Sequence, residues 1–175
     1  MIAPVFVDTN VFVYARDPRD PVKRARASEW LDLLWREQRG RTSAQVLSEY
    51  YSVVTRKSTM GVPAEIAWEY VRALMAWNPQ QIDSALLARA YVIEGRHRIN
   101  WWDCLIVAAA QAQGCALLLT EDLQDKAEYG GVTVRNPFLL AVAEEGGAYS
   151  VSHRLTSRHR GRGRPRRNPK VATAS

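Results

Sequence analysis

Over roughly its first 150 residues the chain alternates short apolar runs with longer stretches of helical periodicity, and that alternation restricts it to an α/β architecture. Residues 4–8 read as a short buried strand, after which Thr9 can turn directly into a helix reaching Ala15. Asp20 followed by Pro21 marks a second helix start, with an acceptor at the cap and proline at the first helical position. That helix buries Trp30, Leu31 and Leu34, with Trp35 a further candidate, and continues to about Arg39, where Gly40 ends it. Residues 41–43 form a candidate strand, and residues 44–56 a helix carrying Val46, Leu47, Tyr50, Val53 and Val54. Residues 63–77 and 84–96 give two more helices, and Asn100 caps another that stops at Gly114. Residues 116–119 and 132–134 complete the strands, and Asn136-Pro137-Phe138 leads into a short final helix. The expected fold is an α/β/α sandwich around a central, mainly parallel sheet.

The length of 175 residues suits one domain with a sizeable core. No apolar run approaches the roughly 20 residues needed to span a bilayer, and the N-terminal stretch lacks a basic leader, so a cytoplasmic protein with no membrane contact is expected. Cys104 and Cys115 have neither C-x-x-C spacing nor the density of a disulfide scaffold, and read as reduced, packed thiols. The net charge of +6 is unevenly placed. Eight of the 24 Lys and Arg residues, and none of the 18 acids, lie beyond Ser150, which leaves the preceding part slightly acidic. The terminal segment has one leucine, Leu155, so ordering it would cost entropy with little apolar gain. The organisation expected is a folded domain over residues 1–149 and a basic, disordered tail over residues 150–175.

Chemistry concentrates in four acids. Asp8 and Asp122 follow strands, Glu49 lies on a helix, and Asp103 falls in the first turn behind the Asn100 cap, where free N–H groups favour the ionised carboxylate. In a parallel sheet, side chains at the carboxyl ends of strands line one crevice. Four carboxylates gathered there repel one another, and a hard divalent cation with oxygen ligands, Mg²⁺ or Mn²⁺, is the simplest compensation. Zinc is disfavoured because the three histidines and two cysteines form no ligand-spaced cluster. Such a metal site can polarise a phosphoryl oxygen and activate water without a protein nucleophile.

The segments VDTNVFVYA, VLSEYY, WWDCLIVAAA and LLTEDLQD, followed by VTVRNPF, resemble in order the signature of PIN domains over roughly residues 3–142, and are similar to VapC-type toxins in particular. The resemblance implies a Mg²⁺- or Mn²⁺-dependent endoribonuclease, the toxin of a bacterial toxin–antitoxin pair. It implies that Asp8, Glu49, Asp103 and Asp122 form the acidic quartet, with Asp8 and Asp103 the direct metal ligands and Glu49 and Asp122 acting through waters or on a second ion. Thr9, Asn10 and Thr120 match polar supporting positions, and Asp125 is a further ligand or a loop acid. The implied partners are RNA and a small VapB-like antitoxin seated in the acidic groove.

Homodimerisation through apolar helices is also expected, with Trp68, Tyr70, Val71, Leu74 and Trp77 available either for such contacts or for the core. Trp101 and Trp102 read as core or dimer-face residues, with base stacking as the alternative. Cys104 reads as packing and His97 as a solvated loop residue. In the tail, Arg162-Gly163-Arg164-Pro165 resembles the core of an AT-hook, and Arg162, Arg164, Arg166 and Arg167 are candidate contacts to DNA or RNA. Two other functions fit the acids. One is a nucleic-acid-binding module without catalysis. The other is a metal-dependent phosphatase of the haloacid dehalogenase type, which needs an acid where this chain has Asn10. If the tail acts electrostatically, deleting residues 151–175 weakens RNA binding and flattens its salt dependence. Equal affinity and salt slope in the truncated protein, measured by filter binding, would eliminate that role.

Overall fold

The computed structural model describes residues 3–56, 58–145 and 148–153 of the chain; within residues 140–153 only the backbone is described. The tail arginines Arg162, Arg164, Arg166 and Arg167 lie outside the described residues.

The chain opens with β1 (Val5–Val7) and α1 (Thr9–Tyr14), followed by α2 (Pro21–Arg36), β2 (Gly40–Arg41), α3 (Ala44–Thr55) and α4 (Ala64–Leu74). A single 3-10 turn over Met75–Trp77 leads to α5 (Ser84–His97) and α6 (Trp101–Ala112). Then come β3 (Leu117–Leu119), β4 (Glu128–Tyr129), β5 (Val132–Arg135), β6 (Leu140–Glu145) and β7 (Ala148–His153). The helix starts follow the expected chemistry. Asp20, Ser43, Asp83 and Asn100 each accept a hydrogen bond from a backbone N–H in the first turn of α2, α3, α5 and α6.

Five strands form one sheet in the order β2-β1-β3-β5-β4. All neighbours are parallel except β4 and β5, which pair antiparallel. Val5, Phe6 and Val7 are all buried. Because successive strand residues point to opposite faces, helices must cover both sides of β1. The expected helix-flanked, mainly parallel α/β sheet is the fold observed. Among the described residues no helix is long and apolar enough to cross a membrane.

An aromatic cluster ties the first helix to the later ones. The ring of Phe12 on α1 stands 6.4 Å from Tyr50 on α3, 6.3 Å from Tyr70 on α4 and 5.8 Å from Trp77. Val71, Leu74 and Trp77 are buried here, so of the residues considered for an interface Trp68, at 50% exposure, faces outward most openly. Both cysteines are buried and unpaired.

Three local expectations are corrected. Helix α2 ends at Arg36 rather than near Arg39, and the left-handed residue behind it is Gln38, not Gly40. Gly40 instead opens β2, where a Cβ would come within 2.5 Å of Trp77 ring carbons. The glycine serves close approach, not chain reversal. Beyond Phe138 the chain forms a β-hairpin instead of a helix, with Leu140 opposite His153 and Glu145 opposite Ala148. Strand pairing thus runs to His153, three residues past Ser150. The short strand β4 was not foreseen; two residues carry too little periodicity to register.

Gly40→Ala forces Trp77 or the β2 edge to move. Overpacking of this kind costs about 1–3 kcal/mol, which should lower the urea midpoint of unfolding. An unchanged midpoint would mean that the indole swings aside freely.

Candidate acidic site

The carboxyl ends of β1 and β3 deliver Asp8 and Thr120 side by side, because β1 and β3 pair in parallel with Val7 opposite Leu119. Asp8 caps α1, its Oδ1 accepting from the Thr9 N–H at 2.7 Å, while its own N–H donates to the Leu119 carbonyl at 3.1 Å. Thr120 donates its hydroxyl to Asp8 Oδ2 at 2.7 Å. Sheet pairing and helix capping thus place this carboxylate before any ligand is considered.

Asn10 links the parts. Its Nδ2 faces Asp8 Oδ2 at 3.4 Å, Thr120 Oγ1 at 3.0 Å and Asp122 Oδ2 at 3.1 Å. Two carboxylates and a hydroxyl demand a donor at that point, so the amide nitrogen is turned towards them. Asp122 is further fixed by its N–H, which donates to Thr120 Oγ1 at 3.1 Å. The buried Oδ1 of Asn10 has no hydrogen-bond partner among the described residues.

Glu49 reaches the same region from α3. Its Oε2 accepts from the Thr9 hydroxyl at 3.0 Å and its Oε1 from Gln45 Nε2 at 2.9 Å. Gln45 also donates to the Trp102 carbonyl at 3.4 Å, tying α3 to the first turn of α6, where Asp103 sits. Gln45 escaped the sequence reading, although a glutamine four residues before a glutamate on one helix is a recognisable side-chain pair.

The electrostatics confirm that the acids are neighbours. Burial pushes the Asp8 carboxyl up from its ordinary 3.8 to about 7; hydrogen bonds from Thr120 and the Thr9 N–H oppose the rise, and the charges of Asp122 and Glu49 add to it. Asp103 is also raised, first by burial and then by the same two acids, Asp122 and Glu49. The charges that act on both groups are thus those of other acids. An oxygen-only donor set with uncompensated repulsion suits a hard divalent cation. Among the described residues no three Asp, Glu, His or Cys side chains close on a point as a ready-made cage. Mg²⁺ tolerates that arrangement, since it commonly keeps several waters and takes one or two carboxylates.

The other candidates fall outside this cluster. Asp125 accepts from the Asn136 N–H at 2.9 Å and lies 4.0 Å from Arg135, so it braces the loop after β3. His97 ends α5 with its ring edge-on to Tyr129 at 4.9 Å, a packed position instead of a solvated loop. Cys104 is buried. Trp101 packs partly against the core, but Trp102 does not: it is 59% exposed. A second feature missed from sequence flanks Asp122, where Lys23 donates to Glu121 Oε2 at 2.5 Å and stands over the rings of Tyr14, at 4.1 Å, and Phe138, at 4.9 Å.

Comparison with known proteins agrees with this geometry. The PIN domain profile matches residues 5–127. Ribonuclease VapC23 of Mycobacterium tuberculosis is 36% identical over 123 residues, spanning 67% of this chain and 92% of its own length. Two solved structures share the fold at lower identity. VapC20 of Mycobacterium tuberculosis, described as a Sarcin-Ricin loop cleaving toxin, superposes with a TM-score of 0.53 at 20% identity, over 67% of this chain and 89% of that one. A toxin–antitoxin complex from Klebsiella pneumoniae gives 0.54 at 19% identity, over 76% and 97%. With its sheet order, its clustered acids and these matches taken together, the chain belongs to the PIN-domain family.

Proposed function

We propose that this chain is an endoribonuclease that uses Mg²⁺ or Mn²⁺ and acts as the toxin of a toxin–antitoxin pair. The observation that carries the reading is the meeting of Asp8, Glu49, Asp103 and Asp122, from four separated segments joined through Thr9, Asn10 and Gln45. The ribonuclease name of the 36% identical relative supports the reaction class. The toxin–antitoxin complex among the structural neighbours supports a VapB-like antitoxin as partner. A homodimer is part of the same proposal.

Asp8 and Asp103 would hold the cation directly, with Glu49 and Asp122 engaging its waters or a second ion. When bound, the cation supplies charge neutralisation of the scissile phosphate and an acidified water. The chain's own residues do the positioning. Thr120 and the Thr9 N–H fix both oxygens of Asp8, Asn10 restrains Asp122, and Thr9 and Gln45 clamp Glu49 from its two sides. Because the Asn10 amide donates to Asp8 and Asp122, position 10 cannot serve as the acid that a haloacid dehalogenase phosphatase needs.

Asp8→Asn and Asp103→Asn should each lower cleavage of total RNA with Mg²⁺ by at least about 100-fold, since even groups that merely support metal ligands are worth about 10–100-fold. Wild-type cutting should stop with chelator. Cutting by both variants at the wild-type rate, with the same mapped ends, would place the chemistry elsewhere.

A pH dependence follows from Asp8. In cation-free protein its carboxyl stays protonated up to about pH 7, whereas an unfolded aspartate ionises near 3.8, so the native state binds the extra proton between those values. Stability of the cation-free protein should therefore fall as pH rises from about 4 to 7, by on the order of 4 kcal/mol from this group. Melting curves should show Asp8→Asn above wild type at about pH 8, and Mg²⁺ raising the wild type alone. A wild-type melting temperature that climbs across this window would contradict the assignment.

A further inference from the structure

Trp102 is a large aromatic residue left 59% exposed beside the acids, and nothing in the positioning of Asp8, Glu49, Asp103 or Asp122 uses its ring. It precedes Asp103 in the first turn of α6. Its backbone is anchored there, for the carbonyl accepts from Gln45, the residue that also holds Glu49. Trp102 lines a shallow depression together with Gln45, Ser48, Glu49 and Ile82. Ile82 is itself 46% exposed. The segment before it is held in place by backbone hydrogen bonds, from Ala44 N–H to the Gln80 carbonyl at 2.9 Å and from Gln80 N–H to the Thr42 carbonyl at 3.0 Å. One flank of the acidic cluster is therefore an apolar shelf on rigid backbone.

Charge decides what suits that shelf. A polynucleotide brought to this region meets the acidic side chains Glu49 and Asp103 next to the shelf, and they repel its phosphates. Neutral chemistry adds affinity there without that repulsion, and the face of a nucleobase stacking on an indole provides it. A paired base in an A-form helix keeps its faces stacked inside the duplex, so only an unpaired base can use such a platform.

We propose that Trp102, with Ile82 beside it, is a stacking platform for an unpaired nucleobase adjacent to the cleaved phosphate. The proposal rests on the nuclease reading above. It commits to RNA as the occupant; a segment of a partner protein is the competing occupant and is separated by the test.

The full chain is compared with Trp102→Ala and Trp102→Phe on a short single-stranded RNA containing a site mapped with the wild type, and on the same sequence as a duplex. Trp102→Ala should raise KM by about 5- to 100-fold with a smaller change in kcat, and Trp102→Phe should recover most of the loss. The loss should be the same at low and high salt, and the wild type should prefer the single strand. An unchanged KM, or equal cutting of the duplex, overturns the proposal. So does a Trp102→Ala protein that cuts normally but no longer assembles with itself or with a co-expressed antitoxin, which would assign the shelf to a protein partner. Binding of the single-stranded RNA is also measured in chelator. If the wild type binds there and Trp102→Ala binds more weakly, the platform stands even where no cleavage is found; equal binding removes it, whichever way the nuclease reading falls.

Discussion

Burial of the Asp8 carboxylate at the end of β1 is the constraint around which the site is arranged. A charged group out of water needs either partners or a counter-ion. The chain supplies neutral donors: a helix-start N–H, the Thr120 hydroxyl and the Asn10 amide. These orient the carboxylate, yet burial and the neighbouring acids still outweigh them, so the carboxyl remains far above its ordinary range. A pocket with well-ordered oxygens and like-charged neighbours is one whose repulsion a cation would relieve.

The supporting groups explain why the acids can be so far apart in sequence. Thr9 reaches from α1 to Glu49 on α3, Asn10 reaches from α1 to the loop behind β3, and Gln45 joins α3 to α6. Each link is a neutral hydrogen bond that holds one acid without cancelling its charge. A lysine in any of these places would hold the carboxylate equally well but cancel its charge. Lys23 illustrates the contrast, for it is paired with Glu121 and enclosed by Tyr14 and Phe138 at the edge of the cluster.

Much of this was legible in the chain. Strands β1 and β3 announce themselves as apolar runs ending on polar residues, and Asp20-Pro21 and Asn100 mark helix starts by cap chemistry. Asp8, Asp103 and Asp122 stand out because each falls at or near the end of an element, whereas Glu49 lies within α3. What failed was whatever depends on a distant neighbour. Gly40 looks like a helix stop until Trp77 is seen against it. Val71 and Leu74 look as suited to an interface as Trp68, and only packing tells them apart. Trp101 and Trp102 are identical in type and adjacent, but successive helical positions diverge by about 100°, which sends one inward and one to solvent. The segment after Phe138 lacks a clear period, and its hairpin pairing is a long-range choice.

The sheet order has a bearing on how the protein is made. Strand β1 lies between β2 and β3, and α1 is a six-residue helix, too short to persist by itself. Its cap acid therefore has no fixed place while the chain is leaving the ribosome. Tyr50, Tyr70 and Trp77 must first be available to seat Phe12, and Thr120 must emerge before Asp8 acquires its hydroxyl donor. The acidic centre is among the last things a nascent chain completes, so an unfinished or truncated product ending before β3 would carry three of the four acids and no assembled site.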